Sequence, residues 1–367
     1  PWPLMRPPGS EKALQASAAN LSAWVKEHAD SNGSSPVLPD LAYTLGVRRN
    51  HHPHRLTLTA SNWTELTEEL DAFAQNGEST KIRSSFSARR EEAPRIGFIF
   101  SGQGPQWRGM GRELIRHEPV FREAIERCDA ALRPWTRFSL LEELGRTEET
   151  SQMSRTEIGQ PAIFAMQVAL AALWKSWGVE PAAVVGHSVG EIASACVAGI
   201  FTIEEAARII ALRARLMEEC GRGEGTMLAV GLPEEEALAL ISRHDRSVTV
   251  SAFNGPRSIT LSGPRLLLEA MAAELEAKGA FARLVKVDHP FHHPLMRPAA
   301  DALEEELADL KPQPGTIPFF STVTGERQSG EECDAAYWGS GIREAVRFSS
   351  SITALAEFVV DVWLGLT

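Results

Sequence analysis

Apolar and polar positions along this chain switch repeatedly between a period near 3.6 and a period near 2, which separates helices from strands. Residues 11–29 carry Leu14, Leu21, Trp24 and Val25 on one side, the pattern of an amphipathic helix. Residues 38–47 predict a second helix, 55–60 alternate as a half-buried strand, and 64–73 open a third helix. Residues 81–93 are charged and serine-rich and predict a linker. The apolar run 96–100 then predicts a buried strand, followed by a glycine-rich loop and a helix from about Gly111. Residues 158–177 are apolar almost all round, so that helix should lie inside the protein. A strand at 182–185, a tight turn and a helix at 191–198 come next. Thr202-Ile203-Glu204-Glu205 is a capping box, opening a helix that should run to about Cys220 and stop at Gly221.

Residues 225–288 change character. Strands at 227–232, 248–252, 258–262 and 281–287 and helices at 233–243 and 265–278 follow the order β-α-β-β-α-β, with a turn at Asn254-Gly255-Pro256. That order is the ferredoxin-like arrangement. The pattern therefore predicts an α/β protein: a small N-terminal α/β domain over 1–93, and a larger domain over 94–367. The larger domain should hold a parallel sheet (94–224 and 289–367) interrupted by a ferredoxin-like insert (225–288).

Composition narrows the function. At 367 residues, 43% hydrophobic and 23% charged, the chain fits a soluble globular protein. A net charge of -11 argues against nucleic acid or an anionic membrane as main partner. Cys128, Cys196, Cys220 and Cys333 show neither close pairing nor metal spacing, which fits a reducing cytoplasm. No signal peptide or transmembrane run is evident. The opening Pro1-Trp2-Pro3-Leu4 reads as part of something longer.

The chemistry centres on Gly186-His187-Ser188-Val189-Gly190, a G-x-S-x-G between strand and helix. Such a turn lifts a serine hydroxyl to the mouth of a parallel sheet, and the helix start below it offers free amides to an oxyanion. The plainer alternative is that Ser188 only caps the helix. Ser101-Gly102-Gln103-Gly104-Pro105-Gln106-Trp107 lacks the Lys-Ser/Thr of a phosphate loop, and Trp107 replaces the third glycine of a dinucleotide fingerprint. It can instead present a backbone amide. In the helix from Ile203, Glu204, Arg208, Arg215 and Glu219 form a polar face, as solvated pairs within the helix would. Arg213 falls within the apolar stripe of Ile209, Ile210, Leu216 and Met217. A guanidinium there needs an anion, either an internal salt bridge or a carboxylate on a ligand. Where the insert returns, His289, His292 and His293 are candidate bases for Ser188, and residue chemistry does not choose among them. His51, His52 and His54 lack a carboxylate or thiol at ligand spacing and read as a basic loop rather than a metal site.

Together these residues resemble the acyltransferase domain of a modular polyketide synthase, related to malonyl-CoA:acyl carrier protein transacylases. The similarity runs through Gly102-Gln103-Gly104-x-Gln106, Gly186 to Glu191, Leu212-Arg213-x-Arg215-x-Met217, Phe291-His292 and Ala345-Val346-Arg347-Phe348, in the family's order. It covers about residues 95–350, and residues 1–90 resemble the linker domain after a ketosynthase. The resemblance implies an α/β-hydrolase-like large subdomain. It implies Ser188 as nucleophile and His292 as its base, held by a backbone carbonyl. It gives the amides of Gln103 and Val189 as oxyanion hole and Arg213 as the grip on the substrate carboxylate. Gln160, His187 and Phe291 are implied as pocket residues. An acyl-CoA is the implied donor and an acyl carrier protein the acceptor, with no cofactor, no metal, no nucleic acid and no membrane. Phe291 before the histidine and Val189 after the serine favour malonyl over methylmalonyl, because a phenyl ring fills the space of an α-methyl; Pro290 departs from the usual alanine. The chain also departs in having Gly341 where the family often has Asn, and in ending at 359–367 without the usual Gly-Pro, which leaves the last strand open.

A serine hydrolase or thioesterase is the rival enzyme. It would use an acid between Ser and His and an HGGG-type loop, which the sequence lacks, and it has no need of Arg213. A non-catalytic docking module is disfavoured by the intact Ser188 and His292.

Overall fold

The two periods reappear as two separately packed sets of elements. The computed structural model describes residues 10–28, 38–49, 52–77, 82–86, 93–221, 223, 225–358 and 360–367. Contacts divide the chain into Pro1–Ala93 and Pro94–Thr367. The first unit holds α1 (Glu11–His28), α2 (Leu38–Val47), β1 (His54–Leu58), α3 (Trp63–Asn76) and β2 (Ile82–Phe86). Leu14 and Val25 of α1 pack with Leu66, Leu70 and Phe73 of α3, completing the apolar stripe that neither helix can bury alone. Asn62 caps α3 by accepting from the Glu65 amide at 2.9 Å. The expected linker contains a strand: β2 pairs antiparallel with β1. Its sequence, Ile82-Arg83-Ser84-Ser85-Phe86, has little apolar pattern, and ladder pairing supplies what the side chains do not advertise. Residues 1–4, His51 and most of the rest of the expected linker lie outside the described residues.

The second unit runs β3 (Ile96–Phe100), α4 (Arg112–His117), α5 (Pro119–Leu132), α6 (Leu140–Gly145), α7 (Thr156–Ser176), β4 (Pro181–Gly186), α8 (Gly190–Val197) and α9 (Ile203–Gly221). Then come β5 (Thr226–Val230), α10 (Glu234–His244), β6 (Thr249–Gly255), β7 (Ser258–Gly263), α11 (Arg265–Ala277) and β8 (Ala282–Leu284). The chain closes with α12 (Arg297–Glu306), β9 (Phe319–Phe320), β10 (Arg327–Gln328), α13 (Ala335–Arg343), α14 (Phe348–Glu357) and β11 (Val362–Leu366).

The large sheet has the order β10-β9-β4-β3-β11, parallel except for β10. Central β4 is apolar on both faces, as covered parallel strands are. Val184 joins the main core with Phe98 and Phe100, while Ala183 and Val185 face Phe320 and Leu355 of α14. The last strand does form: β11 pairs with β3 from Val362 to Leu366. Gln167 of the buried α7 ties it in, donating to the carbonyls of Ser101 at 2.8 Å and Leu366 at 3.3 Å. The small sheet, β6-β7-β5-β8, is fully antiparallel in the ferredoxin-like order, with its own core. Val346, just before α14, ties the small sheet to the large subdomain. Its amide donates to Ser251 at 2.9 Å, and its carbonyl accepts from Phe253 at 2.8 Å.

The turn after β4 works only without side chains on its glycines. A Cβ on Gly190 would lie 2.4 Å from the Phe100 carbonyl oxygen, and one on Gly186 would lie 2.3 Å from Gly190 backbone. Backbone cannot step aside as a flexible side chain can. Gly190→Ala should therefore destabilise the protein by about 1–3 kcal/mol or more in chemical denaturation. Gly341→Ala is the control, because its Cβ would meet only Val323 Cγ2, at 3.6 Å. Equal stability of the two variants would contradict this reading of the turn.

Candidate active site

Among the described residues only two non-glycine residues have positive φ, Ser188 at 52° and His292 at 56°. Side chains rarely adopt this region, and such strain clusters at functional sites. Here it brings the two side chains together: Ser188 Oγ lies 2.7 Å from His292 Nε2. His292 comes from the loop after the small sheet, 104 residues from Ser188. Its ring is fixed from behind, since Nδ1 lies 2.9 Å from the Glu344 carbonyl, and its amide donates to Ile342 at 3.1 Å. A carbonyl only accepts, so Nδ1 carries the proton and Nε2 presents a lone pair to the serine.

The other two histidines are committed elsewhere. His293 Nε2 lies 2.8 Å from the Ser247 carbonyl and Nδ1 accepts from Leu295, so both its nitrogens are used. His289 stacks on Phe291 at 5.1 Å and approaches Glu218. Phe291 itself is buried in the main core beside His292.

Arg213 projects from α9 into the same place and is 2% exposed. It donates to Gln160 Oε1 at 2.6 Å and to Ser188 Oγ at 3.0 Å. Gln160, on α7, donates in turn to Gln103 Oε1 at 3.0 Å. Among the described residues no carboxylate forms an ion pair with Arg213, so the internal salt bridge is not the answer to its burial. Burial lowers its pKa to about 10, and it remains a cation at neutral pH. The polar-face arginines of α9 also differ from expectation. Arg208 reaches Asp309 at 2.7 Å and Arg215 reaches Glu306 at 3.3 Å, so they tie α9 to the end of α12 rather than pairing along their own helix.

The amides of Gln103 and Val189 make no hydrogen bond among the described residues, leaving both free to donate. His187 is locked across the gap between the two sheets, its Nε2 2.8 Å from Asn254 Oδ1 on β6. Its Nδ1 faces Gly102, where a Cβ would come within 2.7 Å. Asn254 was read in the sequence only as a turn residue and Glu344 was not singled out, because their roles depend on contacts 67 and 52 residues away. No group of three or more His, Cys, Asp or Glu is placed to hold a metal ion among the described residues. No described helix is long and apolar enough to cross a membrane.

A serine paired with a histidine, beside a buried cation and amides without intramolecular partners among the described residues, is an arrangement capable of nucleophilic acyl chemistry. The comparisons agree. Residues 97–365 match the family model described as an acyl transferase domain, and residues 9–77 match a RhiE-like, KS-MAT linker domain. The polyketide synthase GfsE of Streptomyces halstedii is 39% identical over 97% of this chain, which spans 9% of that protein. The acyltransferase domain from module 8 of the salinomycin polyketide synthase superposes with a TM-score of 0.88 at 31% identity, covering 98% of this chain and 84% of that one. The malonyl CoA-acyl carrier protein transacylase from Clostridium perfringens gives a TM-score of 0.68 at 27% identity, covering 74% and 86%. The chain belongs to the acyl transferase domain family, in the branch found in modular polyketide synthases, and is an acyltransferase.

His292 is held neutral, its pKa depressed to about 3, first by burial and then by the charges of Arg213 and His187; the Glu344 carbonyl opposes them. An NMR titration should find the ring uncharged well below the ordinary value near 6.5. The unfolded chain takes up that proton first, so stability should be lost as pH falls from about 6.5 toward 3. Arg213→Ala removes one lowering charge and should move the midpoint up. A ring that titrates near 6.5 in both proteins would contradict the geometry.

Proposed function

We propose that this domain takes a malonyl extender unit from coenzyme A onto Ser188 and passes it to the phosphopantetheine thiol of an acyl carrier protein. Ser188 Oγ attacks the thioester carbonyl while its proton moves to His292 Nε2. The tetrahedral oxyanion sits between the amides of Gln103 and Val189. On collapse the C–S bond breaks and the coenzyme A thiolate takes the proton from His292. In the second half His292 removes the proton from the carrier thiol, the sulfur attacks the seryl ester, and Ser188 leaves with the proton restored.

The observation that carries this reading is Arg213, a buried cation that touches the nucleophile at 3.0 Å and, among the described residues, has no carboxylate within ion-pair distance. A desolvated guanidinium is completed by a carboxylate held bidentately. Gln160 steadies it, and His187 with Asn254 lines the approach. The rival hydrolase is disfavoured by the same residue, and by His292 resting on the Glu344 carbonyl rather than on an acid. Transfer to a carrier protein faster than loss to water separates the two activities.

Malonyl is favoured over methylmalonyl or larger units by Phe291, whose ring would fill the volume an α-methyl needs, and by Val189. Residues 1–93 serve in this reading as the connection from a ketosynthase, and 94–367 as the acyltransferase, with its small subdomain over 225–288. The setting is a cytoplasmic multidomain synthase, and the domain works without a bound cofactor or metal.

After incubation with malonyl-CoA, intact-protein mass spectrometry should show a malonyl adduct that Ser188→Ala abolishes; an adduct persisting on that variant would displace Ser188 as nucleophile. His292→Ala should slow acylation by ~10²–10⁴. Arg213→Ala should cost malonyl transfer on the order of 2–5 kcal/mol, far more than it costs acetyl transfer; equal loss for both would make Arg213 structural. In competition at equal concentration, malonyl-CoA should outcompete methylmalonyl-CoA by about 10–200-fold, the reach of a pocket sensing one carbon. Preference for methylmalonyl, or a ratio unmoved by Phe291→Ser, would overturn the assignment of the extender unit.

A further inference from the structure

Behind the nucleophile turn lies a carboxyl group that the chemistry above does not use. Glu191, in the first turn of α8, is 2% exposed. Its Oε1 accepts from the Thr322 amide at 3.0 Å and from the Tyr337 hydroxyl. Its Oε2 meets Thr322 Oγ1, which also lies 2.9 Å from the Gly186 carbonyl. Among the described residues Glu191 forms no ion pair.

Counting protons bears on its charge. A hydroxyl has one proton to give. Ser321 Oγ accepts from the amides of Val323 and Thr324, both at 3.1 Å, so it donates to Tyr337 at 2.7 Å, and Tyr337 donates to Glu191 Oε1. Thr322 Oγ1 has one proton and two acceptors in reach, Glu191 Oε2 and the Gly186 carbonyl. A proton on Oε2 would release the Thr322 proton to Gly186 and satisfy both contacts. With Glu191 ionised, the Thr322 proton would turn to Oε2, and two oxygens, Thr322 Oγ1 and Gly186 O, would face each other at 2.9 Å with no proton between them.

We propose that Glu191 is a neutral acid in the working enzyme and acts as a positioning residue. Its carboxyl proton closes the hydrogen-bonded ring that fixes the nucleophile turn to residues 321–347, and its lack of charge leaves Arg213 open to the substrate carboxylate. The ring reaches the base as well. Arg347 donates its amide to the Thr322 carbonyl at 2.7 Å, and Ile342 and Glu344 just before it hold His292. Serine and histidine are thereby set by one network.

Burial pushes in the same direction and raises the Glu191 pKa, outweighing the hydrogen bonds from Thr322, Tyr337 and Ser321, which act to lower it. The titratable groups around it are Tyr337 on α13, Cys333 before α13 and Arg213 on α9. Burial raises Tyr337 and Cys333 too, which keeps them neutral. An ionised Glu191 would raise the Arg213 pKa and offset its field. The consequence for Arg213 rests on its proposed grip on malonyl; the protonation of Glu191 does not.

The test has two arms. Infrared difference spectra of the wild type minus Glu191→Gln at pH 7 should show a protonated carboxyl C=O band lost in the variant and shifted in deuterium oxide. Loss of a carboxylate band instead would overturn the proposal, whatever substrate the enzyme takes. In the kinetic arm, Glu191→Ala should lower kcat for malonyl transfer by up to ~10²-fold, the scale of a misplaced reacting pair. Glu191→Gln, whose amide can donate to Thr322 in place of the acid proton, should recover most of it and keep the malonyl-to-acetyl ratio. If the alanine variant does not fold, the glutamine variant and the infrared band carry the test. Glutamine failing in both kcat and the ratio would contradict a neutral Glu191, whereas an intact band with no malonyl preference in the wild type would count against the reading of Arg213 alone.

Discussion

Everything in this structure bends to one contact, the 2.7 Å approach of Ser188 Oγ to His292 Nε2. Both residues have left-handed backbones, each costing roughly 1–2 kcal/mol for a side chain bearing a Cβ. The surroundings hold them there. Gly186 and Gly190 let the turn press against Phe100, and the Ile342 and Glu344 carbonyls grip the histidine from behind. Neither constraint is local, so the site exists only when the parallel sheet, the inserted small sheet and the 321–347 segment are all in place.

The second constraint is electrostatic. Among the described residues Arg213 is buried with hydrogen bonds but forms no ion pair, an expensive arrangement that a ligand's carboxylate would relieve. The same charge helps keep His292 neutral and thus able to accept a proton from Ser188. In the proposed function one guanidinium would thus receive the substrate carboxylate and also help keep the base neutral.

Much of this was legible in the sequence, and the remainder was hidden for definite reasons. The helix and strand periods marked the small sheet and β3 and β4 of the large one, though not the two-residue β9 and β10; the G-x-S-x-G placed Ser188 on its turn, and Arg213 stood out as a cation within an apolar stripe. The choice among His289, His292 and His293 was not readable from their spacing, because it turns on which of Glu218, Glu344 and Ser247 each one faces. The strand Ile82–Phe86 escaped notice because serines and an arginine fill it, and backbone pairing rather than side-chain pattern defines it. Glu191 looked like an ordinary helix-starting acid; only the fold brings Thr322 and Tyr337, 131 and 146 residues away, to its carboxyl group.

The central claim is that Arg213 and Ser188 hold opposite ends of one acyl group. The most direct measurement is a crystal structure of the protein trapped as its acyl-enzyme with malonyl-CoA. We expect an ester on Ser188, its carbonyl oxygen between the amides of Gln103 and Val189, and its free carboxylate bidentate on Arg213, replacing the guanidinium's contact with Ser188. An acyl group whose carboxylate points to solvent, with Arg213 still bound to Gln160 and to the seryl oxygen, would contradict it.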